Sequence, residues 1–143
     1  MSDDEIMRLA IEDAKKCPPS QTAYSVGCVI TRGNRIVSRG YSREFPDFHA
    51  EESALMKLDY NAAGCTIYST MEPCSTRKSR PKSCTQLIID SGAAYVVYGC
   101  DEPPYFVRDC KGTETLKEHG IEVTKLSDFE DMCLEVNSHI TVR

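Results

Sequence analysis

Positive charge is in short supply. The 143-residue chain carries 22 acidic against 17 basic side chains, a formal net charge of -5. A protein that tracks a duplex backbone is normally basic, so nucleic acid is not an expected partner. No apolar run approaches the ~20 residues that a membrane-spanning helix needs, and no membrane partner is expected. The opening Met1-Ser2-Asp3-Asp4-Glu5 is acidic where a secretory or mitochondrial leader would be basic, so a soluble, cytoplasmic protein is expected. Linkers, internal repeats and low-complexity segments are missing as well. What remains is one domain's length of chain, 41% hydrophobic and 27% charged, with enough apolar content to build a core. A single domain over residues 1–143 is expected.

Histidine is rare, with three residues, and cysteine is not, with eight. In a small secreted chain that many cysteines would suggest a disulfide framework. Here most lie inside apolar stretches, such as Cys28 in Val26-Gly27-Cys28-Val29-Ile30 and Cys100 after Tyr95-Val96-Val97-Tyr98-Gly99. Those read as reduced packing residues. Cys74 and Cys84 differ, because they belong to a polar stretch of Pro, Ser, Lys and Arg where no core residue is expected.

Hydrophobic spacing sets the expected elements. Ser2 and Glu5 form a capping box for a first helix, with Ile6, Leu9, Ala10, Ala14 and Cys17 as its stripe and Pro18-Pro19 as its stop. Tyr24 to Thr31 and Arg35 to Tyr41 read as a hairpin about Arg32-Gly33-Asn34. A loop over 43–48 precedes helical spacing from His49 to Leu58, and a third strand is expected over 65–69. A helix beginning near Ser83 or Cys84 should end at Gly92, followed by a strand over 94–99. A short helix from Lys111 to His119, a fifth strand over 121–124 and a last helix complete the chain. That last helix is expected to open on a Ser127–Glu130 capping box, with Phe129, Met132, Cys133 and Val136 on one face. The alternation implies an α/β layered domain with a mixed sheet, its fourth and fifth strands parallel through a right-handed crossover.

The chemistry gathers in a few residues. His49 opens a helix, where its ring can point off the end. Cys74 and Cys84 follow after one strand, the second at a helix N-terminus that favours thiolate over thiol. One imidazole and two thiolates suit zinc, whose tetrahedral shell then keeps one position for water of lowered pKa. A nearby carboxylate can accept the water's proton and deliver it to a leaving group. Helix spacing does not choose between Glu51 and Glu52, and the i,i+3 pair His49/Glu52 is nearer to sharing a face. The order His-x-Glu, then Pro-Cys, then a second Cys resembles the zinc deaminase signature, with Glu as proton shuttle; here it reads His49-Ala50-Glu51, Pro73-Cys74 and Cys84. Of the rest, Glu52 is expected in solvent or behind the ligands, His119 as a helix-end cation, and His139 in a tail free to fold over a pocket.

On these motifs the chain resembles the cytidine-deaminase-like superfamily over essentially its whole length. The resemblance runs through Val26-Gly27-Cys28-Val29-Ile30, Gly40-Tyr41, His49-Ala50-Glu51-Glu52, Tyr68-Ser69-Thr70-Met71-Glu72-Pro73-Cys74 and Cys84. Nine residues, Ser75 to Ser83, separate the two cysteines, against an ordinary gap of about two to four. That long gap, together with Gly40-Tyr41-Ser42-Arg43-Glu44-Phe45-Pro46 and Glu102-Pro103-Pro104-Tyr105-Phe106-Val107, resembles the stand-alone, fungal-type pyrimidine deaminases of riboflavin biosynthesis. One departure is Asp47-Phe48, where that branch tends to have Gly-Asn and a small polar residue.

The resemblance implies a three-layer α/β/α fold with a five-stranded mixed sheet. It implies zinc on His49, Cys74 and Cys84, Glu51 as the proton shuttle, and the Ala50 N–H against a ring carbonyl. The implied reaction is hydrolytic removal of an exocyclic amine from 2,5-diamino-6-ribitylamino-4(3H)-pyrimidinone 5'-phosphate, in a homodimer or larger assembly. Independently, Arg77, Lys78, Arg80 and Lys82 give an acidic protein a basic loop between two expected zinc ligands. Arg77 and Arg80 are therefore expected at the substrate phosphate, where a guanidinium can bind two oxygens at once; the other reading is a solvated loop. Competing functions are a deaminase of cytosine, cytidine or its monophosphate, an RNA adenosine deaminase, and a non-catalytic zinc partner subunit. The acidic balance disfavours the RNA enzyme, and retention of Glu51 disfavours the structural subunit.

Overall fold

The structure is a computed structural model that describes residues 1–74, 82–103 and 111–140. The elements are α1 (Asp3–Ala14), β1 (Gly27–Arg32), β2 (Arg35–Tyr41), α2 (Ala50–Met56), β3 (Thr66–Met71), α3 (Cys84–Ser91), β4 (Tyr95–Cys100), α4 (Gly112–Glu118), β5 (Glu122–Lys125) and α5 (Glu130–Glu135), the last preceded by a 3-10 turn over Ser127–Phe129. The strands form one sheet in the order β2-β1-β3-β4-β5. β1 is antiparallel to both β2 and β3, whereas β3, β4 and β5 run parallel. The sheet is thus mixed, as expected, and β4 and β5 are parallel with α4 between them.

Two cores lie on the two faces of the sheet. On one, Ala50, Ala54 and Leu55 of α2, Ile88 of α3 and Leu116 of α4 pack against Cys28, Ile30, Ile67 and Val96. On the other, Ile6, Met7, Ala10 and Ile11 of α1 and Phe129 and Cys133 of the C-terminal region pack against Val29, Tyr68 and Val97. Adjacent strand residues point to opposite faces, so buried strands contribute to both cores. α2 is drawn hard against β2, because a Cβ at Gly40 would lie 2.6 Å from the Ala54 nitrogen and 2.9 Å from the Ala50 carbonyl. Only a residue without a side chain permits that approach.

The ends of the elements follow their capping residues. Ser2 accepts from the Glu5 N–H at 3.2 Å, the N-cap expected for α1, and its hydroxyl meets the Glu5 carboxylate at 3.3 Å, a side-chain contact in place of the box's second backbone bond. Ser83 accepts from the Gln86 N–H at 3.1 Å, and Gly92 closes α3 at φ 79°. β2 spans Arg35–Tyr41 as expected, beyond a turn with Gly33 at φ 62°.

Other expectations need correction. α1 stops at Ala14, before Cys17, and buries Met7 and Ile11 while Leu9 is only half-buried. β1 begins at Gly27, because the N–H groups of 25–26 are taken by side chains: Ser25 pairs twice with the Asn137 amide, and the Val26 N–H donates to Ser42 Oγ while the Val26 carbonyl accepts from the Ser42 N–H at 3.0 Å. β3 ends two residues later than expected, at Met71. The Ser127–Glu130 box does not form; Lys125 Nζ takes the Glu130 carboxylate at 2.9 Å, and Met132 is exposed. Among the described residues seven cysteines are buried and none forms a disulfide, and Cys110 lies outside the described residues. Among the described residues no helix is long and apolar enough to cross a membrane.

Candidate metal centre and active site

His49 is the N-cap residue of α2, with extended backbone at φ -80° and ψ 165°. It therefore belongs to the preceding loop, and its ring does not follow the helix. That loop is tied at both ends. The Arg43 N–H donates to the Phe48 carbonyl at 2.8 Å, and the Arg43 guanidinium donates to the Tyr24 and Pro18 carbonyls at 3.1 and 2.6 Å. Glu44 accepts from Ser53 Oγ and, at 2.9 and 2.8 Å, from Lys57 Nζ, which pins the loop onto α2. Asp47 sits at φ 64°, a left-handed conformation that glycine adopts freely and Asp tolerates. Asp is thus one of the few side chains that fit this position.

Cys74 follows the end of β3 and Cys84 is the first residue of α3. His49 Nδ1 lies 3.6 Å from Cys74 Sγ and 3.2 Å from Cys84 Sγ. All three ligand atoms lie within 4.8 Å of one another. Tetrahedral zinc, with bonds of about 2.0–2.1 Å to nitrogen and about 2.3 Å to sulfur, separates such N and S atoms by about 3.6 Å, so the cluster fits the ion. The N-terminus of α3 grips Cys74 directly: the Cys84 N–H donates to its sulfur at 3.3 Å, and the Thr85 N–H and Oγ1 donate to its carbonyl at 3.1 and 2.7 Å. Hydrogen bonding from Cys84 outweighs the burial that opposes ionisation, and with the His49 ring and the Cys84 N–H it holds the Cys74 thiol down to about 4. A thiolate ready for a cation is the consequence.

Glu51 is 4% exposed. Burial pushes its carboxyl above the ordinary value, the Cys74 charge adds to the push, and the His49 ring and a Cys84 hydrogen bond pull against it. Its Oε1 lies 3.3 Å from the buried hydroxyl of Ser69. Glu52, by contrast, is turned toward the Tyr60 hydroxyl, 3.5 Å away, and at 3% exposure it is not in solvent. The i,i+3 facing of His49 and Glu52 does not arise, because His49 is not a helical residue.

Ala50, fully buried, is the first residue of α2, beside His49. Arg77 and Arg80 lie outside the described residues, and Lys82, at the end of the basic loop, pairs with Asp90 at 2.9 Å. His119 bonds the Thr115 carbonyl at 2.9 Å, at the end of α4 as expected. His139 bonds the Ser20 carbonyl at 3.1 Å, so the tail packs on the segment before β1. Ser69, Thr85, Glu72 and Thr113 support the centre and were not foreseen. Their partners lie on distant elements, and nothing local in the sequence marks them.

The chain was compared with known proteins. The model of the cytidine and deoxycytidylate deaminase zinc-binding region matches residues 1–100. Diaminohydroxyphosphoribosylamino-pyrimidine deaminase of Schizosaccharomyces pombe is 45% identical over 137 residues, covering 92% of this chain and 34% of that protein. The chain spans about a third of the length of the curated relatives it matches. Among solved structures, Aspergillus oryzae Rib2 deaminase in complex with DARIPP superposes with a TM-score of 0.80 at 27% identity, covering 93% of this chain and 88% of that one. Acinetobacter baumannii RibD gives 0.84 at 31% identity, covering 94% of this chain and 38% of that one. The expected cytidine-deaminase-like fold is therefore correct, and the cofactor is zinc, in keeping with a donor set of one imidazole and two thiolates. By the family match over most of its length, and by neighbours that share its fold, this chain belongs to the cytidine and deoxycytidylate deaminase zinc-binding family.

Proposed function

We propose that residues 1–143 form one zinc-dependent deaminase domain. Its substrate is the riboflavin-pathway intermediate 2,5-diamino-6-ribitylamino-4(3H)-pyrimidinone 5'-phosphate. The observation that carries this reading is a buried carboxylate, Glu51, beside an imidazole and two thiolates that leave a tetrahedral ion one open position. The S. pombe relative's name and the DARIPP complex of the Aspergillus enzyme support the choice of pyrimidine.

His49, Cys74 and Cys84 hold the ion. Zinc, when bound, supplies a Lewis acid at which water ionises near neutral pH. Glu51 accepts a proton from the attacking water and gives it to the ring nitrogen, then takes the remaining proton of the added hydroxyl and delivers it to the departing amine, ending ionised as it began. One C–O bond forms, one C–N bond breaks, ammonia leaves, and no electron changes hands. The Ala50 N–H holds a ring carbonyl, and Arg77 and Arg80 receive the phosphate. Glu51's burial suits this duty, since it pushes the carboxyl above its ordinary value and so favours its holding a proton in transit. The working unit is a homodimer or larger.

The test pairs metal analysis with ammonia release on a panel: ribitylamino and ribosylamino pyrimidine phosphates, their dephosphorylated forms, cytosine, cytidine and cytidine monophosphate. The expected result is turnover of the ribitylamino phosphate and little of the cytidine series. Removal of zinc with a chelator should abolish it and lower Tm by roughly 5–10 °C, with recovery on zinc addition. Glu51→Gln should keep zinc and fold yet lose kcat by at least about 1000-fold. Preference for cytidine monophosphate would overturn the substrate, and full activity of Glu51→Gln would overturn the shuttle.

A further inference from the structure

Cys74 sits in an irregular segment. β3 ends at Met71, and 72–74 belongs to neither helix nor strand. A metal ligand on such a segment has to be held by something other than regular backbone bonding. One hold is the N-terminus of α3, already described. A second comes from α4, which carries none of the ligating or proton-carrying side chains.

Three contacts make this second hold. Glu72, two residues before the ligand, extends the sheet by one bond, its N–H donating to the Cys100 carbonyl at 2.9 Å. Its carboxylate then reaches α4, where Oε2 accepts from Thr113 Oγ1 at 2.8 Å and from the Thr113 N–H at 3.4 Å. Next along the chain, the Pro73 carbonyl is pressed against Gly112. A Cβ there would lie 2.0 Å from that oxygen and 3.0 Å from Thr85 Oγ1. Thr85 Oγ1 is the hydroxyl that donates to the Cys74 carbonyl at 2.7 Å. Any side chain at 112 therefore forces α4 off Pro73, or displaces the hydroxyl that holds Cys74. α4 is itself fixed to the core by the fully buried Leu116.

We propose that Gly112 and Thr113 are positioning residues of the zinc centre, fixing the Cys74 sulfur through Pro73 and Glu72. This inference rests on the reading of Cys74 as a zinc ligand. Contacts that orient metal ligands commonly contribute about 10–100-fold to metal affinity, so zinc retention is the sensitive readout.

The experiment measures zinc release from the purified holoprotein to a chromogenic chelator, with Tm recorded for each variant. Thr113→Val removes the hydroxyl at nearly constant volume, Thr113→Ser restores it, and Gly112→Ala introduces the obstructing Cβ. Tyr68→Phe is the control, since it deletes the 2.6 Å bond to Asp3 on the opposite face of the sheet. Thr113→Val is expected to release zinc about tenfold faster than the wild type. Tyr68→Phe and Thr113→Ser should release it at the wild-type rate. Gly112→Ala should exceed Thr113→Val; if it fails to fold, the Thr113 pair still decides. Release from Thr113→Val no faster than from Tyr68→Phe would overturn the proposal. Cys74→Ser separates the two readings. If it keeps zinc like the wild type, the ligand assignment fails, whereas if it loses zinc while Thr113→Val does not, only the role of α4 fails.

Discussion

The hydroxyl of Ser69 stands 3.3 Å from Glu51 Oε1 and 2.7 Å from the carbonyl of Met71. A hydroxyl has one hydrogen to give. That hydrogen is shared between two acceptors, the Met71 carbonyl and Glu51 Oε1. Ser69 is fully buried, so no solvent competes for the arrangement. It thereby holds one oxygen of the carboxyl.

Ser69→Ala should therefore lower kcat by roughly tenfold, about 1.4 kcal/mol. KM and zinc content should stay near their wild-type values, because the serine hydroxyl bonds Glu51 and the Met71 carbonyl. Ser69→Thr, which keeps the hydroxyl, should recover most of the rate. Steady-state kinetics with zinc analysis checks this; a kcat for Ser69→Ala equal to that of the wild type would remove the role.

Glu44 sets a pH dependence away from the metal. Burial raises its pKa, but the Lys57 ammonium and the Ser53 hydroxyl more than reverse this, leaving it below the ordinary glutamate value. A carboxyl depressed in the folded state stabilises above its unfolded pKa, and the contribution fades as pH falls through the folded value. Wild type should thus be more stable than Glu44→Gln at about pH 6, with the gap in Tm narrowing as pH falls below the ordinary glutamate value of about 4.3. Melting both proteins across that range measures the gap, and a constant difference would contradict the assignment.

Asp13 is 2% exposed and is met by Arg39 Nε at 2.8 Å, Arg39 Nη2 at 3.0 Å and Lys16 Nζ at 3.0 Å. The Arg39 fork ties α1 to β2. Arg39→Ala leaves a buried carboxylate with one largely exposed lysine, which should cost about 2–4 kcal/mol, or roughly 5–12 °C in Tm. Replacing both residues, as in Asp13→Leu with Arg39→Met, should cost less than Arg39→Ala alone. Thermal melts of the three variants decide it; a double variant less stable than Arg39→Ala would show that the ion pair is needed for more than charge balance.

Much of this was legible in the sequence because it is local. Ser83 and Gly92 bound α3, and Gly33 turns the hairpin, since capping and turn chemistry act within a few residues. The cluster of His49, Cys74 and Cys84 was legible for another reason: few residue types can bind zinc, and their order is distinctive. What escaped depends on distant partners. The strand expected from Tyr24 is replaced by bonds to Asn137 and Ser42. Glu130 answers to Lys125 instead of capping a helix. The choice of Glu51 over Glu52 could not come from helix spacing, because His49 precedes the helix. Ser69 and Thr113 reach the centre only through tertiary contacts.

α2, α3 and α4 all stand on one side of the sheet, while α1 and the C-terminal region cover the other. The sheet thus stands between the side chains beneath α1 and the helices that carry Cys84 and follow His49, and a few strand residues, Met71 and Cys100 among them, link one layer to the other through their carbonyls.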